Sequence, residues 1–84
     1  MIESYVSLNS IDKVRKFSSI AKNCPFNVYL VSGSRRINAT SILGIFSLNL
    51  MKPIKMEVDS NDFIAIKRKL GDFLIGQPIT TNNK

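Results

Sequence analysis

One thiol, a set of serines and six carboxylates are the groups with which this chain could do covalent chemistry, and it has no histidine to activate them. Neither a Ser–His nor a Cys–His pair exists, which removes the common route to a nucleophile. General acid–base work near neutral pH would fall to a strongly shifted Asp, Glu or Lys, and no motif points to one. One cysteine and six carboxylates are unlike the nitrogen and sulfur sets that hold zinc, so neither a metal nor a cofactor is expected. Cys24 precedes Pro25 at the end of a helical pattern. That is the wrong dipole end for stabilising a thiolate, and Cys24 is expected in the core. The chain is not expected to be an enzyme.

Binding is the chemistry that remains. Twelve Lys and Arg against six Asp and Glu give a net charge of +6 and a pI near 9.8. Such a balance favours acidic partners: nucleic acid, an anionic membrane surface or an acidic protein. Lys13, Arg15, Lys16 and Lys22 fall on the polar side of a helical pattern and are expected to form a solvated face. Arg35–Arg36 follow a turn, and with Tyr5 and Tyr29 they motivate a second function, a small basic nucleic-acid-binding protein. Ile42, Leu43, Ile45 and Phe46 put four apolar residues within five positions, more than one helix face buries. Ile42, Leu43 and Phe46 are therefore a candidate partner-binding patch, with Leu43 and Phe46 partly exposed.

The elements that position these residues follow from periodicity. Eighty-four residues make one domain, expected over residues 1–76, with a flexible polar tail over 77–84. No apolar run approaches the ~20 residues of a membrane span. The N-terminus lacks the cationic and apolar stretches of a secretory signal. With a single cysteine, a cytoplasmic address is the expectation. Ser4–Leu8 reads as a strand. Ile11 to Cys24 is apolar at helical spacing, with Asn9 or Ser10 as N-cap and Pro25 as its stop. Phe26–Val31 and Arg35–Ala39 read as a hairpin about Ser32-Gly33-Ser34. A short helix starts near Ser41, and Ile54–Val58 alternates as a strand. Ser60 caps a last helix that packs Phe63, Ile66, Leu70 and Phe73 or Leu74 and stops at Gly76. The order is β-α-β-β-α-β-α. The fold class is α+β, an open-faced β-sandwich: a four-stranded antiparallel sheet with three helices on one face.

This order, with the stretch Ile37-Asn38-Ala39-Thr40-Ser41-Ile42-Leu43-Gly44-Ile45-Phe46-Ser47-Leu48, resembles the HPr family, the small phosphocarriers of the bacterial sugar phosphotransferase system. The family's middle motif reads approximately V-N-A-K-S-I-M-G-(V/L)-M-S-L. The departure here is chiefly Thr40, which stands at a lysine position. The resemblance spans roughly residues 3 to 75 and implies an HPr-like fold. It also implies a lost activity. At the family's active-site motif, G-(I/L)-H-A-R-P-A, the alignment puts Ser10 in the phosphohistidine position, Asp12 in the arginine position and Lys13 in the proline position. A serine hydroxyl without a base is a poor nucleophile, its phosphate ester is inert, and Asp12 repels an anion. The chain is expected not to carry phosphate.

The family's second site fares better. The serine that an HPr kinase phosphorylates in Gram-positive members corresponds to Ser41. A histidine-less class, Crh, keeps that serine and acts as corepressor of the catabolite control protein, and this chain is similar to it in that respect. The resemblance thus implies a regulatory protein-binding module controlled at Ser41, with a transcriptional regulator or a phosphotransferase system component as partner. A plain N-cap is the competing role of Ser41.

Overall fold

Five strands join one antiparallel sheet, and residues 2–6, 28–31 and 54–58 alternate in burial with the two-residue period of strands. A computed structural model describes residues 1–80. It contains β1 (Ile2–Val6), α1 (Ile11–Lys22), β2 (Val28–Ser32), β3 (Arg35–Asn38), α2 (Ile42–Phe46), β4 (Ile54–Val58), α3 (Phe63–Leu70), a 3-10 turn (Gly71–Phe73) and β5 (Leu74–Thr80). The strand order is β3-β2-β4-β1-β5. Ile2 faces Val58 and Val6 faces Ile54 between β1 and β4, while Leu30 faces Met56 between β2 and β4. Those side chains point to the face covered by the helices, where they meet Val14 and Phe17 of α1, Ile45 of α2, and Ile66 and Leu70 of α3. Phe17, Val28, Leu30, Ile45, Met56, Ile66 and Leu70 all share this one core. The fold is the α+β open-faced sandwich expected, with three α-helices on one face.

The sheet has five strands where four were expected. The last helix stops at Leu70, capped by Gly71, instead of running to Phe73 or Leu74. The 3-10 turn delivers Phe73 into the core, where its ring meets Phe17 edge-on at 5.3 Å and 81°. The chain then extends along the free edge of β1. Gly76 stops no helix. It lies inside β5 with φ of 75°, a conformation open to glycine and costly for other residues. Between β1 and β5 the register passes from Tyr5↔Ile75 to Glu3↔Ile79, so residues 76–78 of β5 bulge opposite Ser4 alone. Residues 77–80, read from sequence as tail, are part of β5, and 81–84 lie outside the described residues.

Helix starts are set by side chains. Ser10, and not Asn9, caps α1; its Oγ accepts the Lys13 amide at 3.1 Å. Asp62 caps α3 in place of Ser60, taking the Ala65 amide at 3.0 Å, and Ser60 Oγ accepts the Asp62 amide one step earlier. Pro25 follows an α1 that has already ended at Lys22 with Asn23 as its cap.

Candidate functional site

The stretch from Asn38 to Ser47 is held by a chain of local bonds. Asn38 Oδ1 accepts from both the amide and the hydroxyl of Thr40, at 3.0 and 2.9 Å. The Ser41 amide donates to the Asn38 carbonyl at 3.0 Å, and Ser41 Oγ accepts the Gly44 amide at 3.1 Å. Thr40, the departure from the family motif, thus tightens the turn that delivers Ser41. At the other end, Arg35 reaches from β3 to bond the Ser47 carbonyl and hydroxyl at 3.4 and 2.7 Å. A cation on the last carbonyls of a helix is favourable. Sequence reading gave Arg35 to nucleic acid and missed this role.

Gly44 brings α2 against β3. A Cβ at that position would lie 2.7 Å from Ile37 Cγ2 and 3.0 Å from Ser41 Oγ. This close approach fixes how far α2 stands off the sheet and which of its side chains face out. Ile45 is buried, Ile42 is half-buried and packs on the core, Phe46 is 41% exposed and Leu43 84% exposed. Of the expected patch, Leu43 and Phe46 are therefore available to a partner and Ile42 serves mainly the core. The helix is short, as expected, at five residues, and Leu50 lies beyond it. Met51, 82% exposed in the following loop, and Ile11, 62% exposed at the start of α1, add apolar surface that was not expected there. Helical spacing alone had assigned Ile11 to the core; as the first residue of α1, before the buried turn at Val14, it has nothing beneath it.

Ser10 is exposed and engaged as a helix cap, and Asp12 occupies the first turn of α1. Both choices favour the helix start itself: the hydroxyl satisfies an orphan amide and the carboxylate complements the dipole. Neither makes a place for an anion. Helices α1 and α2 pack on each other, so Ser10 and Ser41 each open one of two neighbouring helices.

The other candidates lie apart. Arg36 projects from the open face of the sheet, 4.0 Å above the Tyr29 ring and 3.5 Å from Glu57. Lys55 pairs with Glu3 at 3.4 Å and Glu57 at 3.8 Å on the same face. Tyr5 is 51% exposed there and borders a shallow cavity of about 130 Å³, lined also by Glu3, Ser4, Ile75, Gly76 and Ile79. The charges of the hairpin are thus spent within the molecule. Cys24 is half-buried instead of fully in the core; burial raises its thiol above the ordinary 9.0, opposed by nearby Lys69. Among the described residues no His, Cys, Asp and Glu cluster could hold a metal ion, and no helix is long and apolar enough to cross a membrane.

No family model matches the chain, and no curated protein does. Among solved structures it is similar to the crystal structure of HPr-C-His from Thermoanaerobacter tengcongensis. The two share 20% identity over 86% of this chain and 89% of that one, with a TM-score of 0.68. At that identity the likeness is one of fold, and the fold is HPr-like.

Proposed function

We propose that this protein is an HPr-like, non-enzymatic protein-binding module related to the sugar phosphotransferase system, working in the cytoplasm and unable to carry phosphate on histidine. The observation that carries the reading is the exposure of Leu43, 84%, with Phe46 beside it, on a helix anchored to the core by Ile45 and hydrogen-bonded at both ends. A preorganised apolar anchor loses little entropy on binding. Ser10 and Asp12, standing where the resemblance implies histidine and arginine, support the loss of carriage. The partner class is a transcriptional regulator of the catabolite-control type or a phosphotransferase system component.

Ser41 is the proposed point of control, acted on by an HPr kinase. A phosphate there adds about −1.5 to −2 charges beside Leu43 and suits a partner bearing Arg or Lys. Its effect is on binding, because phosphorylation gives up one capping bond, worth ~1 kcal/mol, and gains a comparable anion–amide interaction. The experiment is a titration of catabolite control protein against the wild type, Leu43→Asp, Ser41→Ala and the kinase-treated protein. Binding that Leu43→Asp weakens tenfold or more, and that phosphorylation changes, supports the reading. Absence of kinase labelling at Ser41 returns that residue to a helix cap, and binding indifferent to Leu43→Asp removes the docking site.

A further inference from the structure

The net charge of the molecule sits in one place. Of twelve cations and six carboxylates in the chain, α1 holds Lys13, Arg15, Lys16 and Lys22 against Asp12 alone, and α3 holds Lys67, Arg68 and Lys69 with no carboxylate. These two helices therefore carry a net +6, and everything outside them is neutral by count. The segregation is physical as well as numerical. Cations of the open sheet face, Arg36 and Lys55, are paired with Glu57 and Glu3. Among the described residues, none of the seven helix cations makes an ion pair.

The two helices pack on each other over the same sheet face. Lys69 of α3 lies near enough to Cys24, just past the end of α1, for its charge to favour the thiolate. All seven cations are exposed. On α1 the side opposite the buried Val14, Phe17, Ser18 and Ala21 presents Arg15, Lys16, Ser19 and Lys22 together with Asp12 of the first turn, with no apolar residue among them.

We propose that the outer face of α1 and α3 binds the phosphate backbone of duplex nucleic acid without reading its sequence. Seven exposed cations on two packed helices, unpaired among the described residues, complement a polyanion whose charges are dense and regularly spaced. A membrane surface fits less well. An interfacial helix needs an apolar stripe along its length, whereas Ile11, Phe63 and Ile64 are confined to the first turns of their helices. Single strands fit less well also, since they are held by stacking on exposed aromatic rings. Phe63, 36% exposed, is the one such ring on either helix; Phe17 is buried. These cations lie on α1 and α3 whereas Leu43 and Phe46 lie on α2, so separate substitutions test the two roles.

The test is fluorescence anisotropy with a 20-base-pair duplex, its component single strands, and vesicles containing 30% phosphatidylserine. Binding to the duplex is expected at micromolar Kd in about 50 mM salt. With four phosphates neutralised, it weakens roughly 150-fold by 200 mM, from a log–log slope near −3.6. Lys16→Glu and Arg68→Glu are each expected to weaken binding at least fivefold. Lys52→Glu makes the same change in net charge outside the two helices and is expected to weaken it less than twofold. Thermal melts verify that all three variants remain folded. Equal losses for the three variants, tighter binding to single strands or to vesicles, or no duplex binding at 50 mM salt would each overturn the proposal.

Discussion

Ser10, Ser18 and Cys24 show how differently small polar side chains serve this fold. Ser10 satisfies the Lys13 amide, and Ser10→Ala is expected to cost ~1 kcal/mol in denaturant unfolding. Ser18 sits fully buried in α1 with no partner for its hydroxyl among the described residues. A desolvated, unbonded hydroxyl is a liability, so Ser18→Ala should leave stability unchanged or raise it by about 1 kcal/mol. A loss of more than 1 kcal/mol would mean that the hydroxyl is bonded after all. Cys24 titrates above the ordinary thiol value because burial disfavours its thiolate. Its folded pKa exceeds its unfolded one, so the associated stability is present below about pH 9 and is lost as pH rises through the folded value. A Cys24→Ala variant should flatten that alkaline decline in a pH series of melting temperatures. At this scale the sequence was partly legible. The caps Ser10 and Ser41 and the absence of activating bases are visible in residue types, whereas Asp62 was passed over for Ser60 because both residue types cap equally well. The partner of Arg35 is not visible, because it lies across a turn and twelve positions away.

At the scale of elements, spacing located β4 to the residue and the middle of the buried stripes of α1 and α3, while Ile11 and Phe63 at the starts of those helices, read as part of the stripes, are exposed. It failed where a local feature outweighed period. The strand β5 contains a glycine at positive φ and bulges by two residues against β1, so its alternation is broken and Pro78 reads as a chain end. α2 was legible as a short helix through Ser41 and the apolar run, yet its packing depth depends on Gly44. Gly44→Ala improves helix propensity by up to ~1 kcal/mol, but the new Cβ would stand 2.7 Å from Ile37. Overpacking is expected to win, with a net loss of ~1–3 kcal/mol and displaced Ile42 and Leu43 resonances. An unchanged melting temperature would show that α2 moves freely off β3.

For the whole molecule, one core couples the helices to all the central strands. Ile45 and Leu70 are both fully buried in it. Replacement of either by Ala should cost ~2–5 kcal/mol, a large fraction of what a small domain has, and denaturant midpoints would report it. The overall architecture was legible because each amphipathic element has only one place to bury its stripe. The distribution of charge was not. Runs such as Lys67-Arg68-Lys69 are visible in the sequence, but the neutral sheet face against a cationic helix layer depends on which acids meet Arg36 and Lys55 in space. The central claim is that this HPr-like fold meets protein partners through α2 and its flanks. The most direct measurement is a backbone amide NMR titration with catabolite control protein. Shifts are expected to concentrate at Ile11, Leu43, Phe46 and Met51; shifts at Tyr5, Tyr29 and Ile75 on the open sheet face, or none at saturating partner, would contradict it.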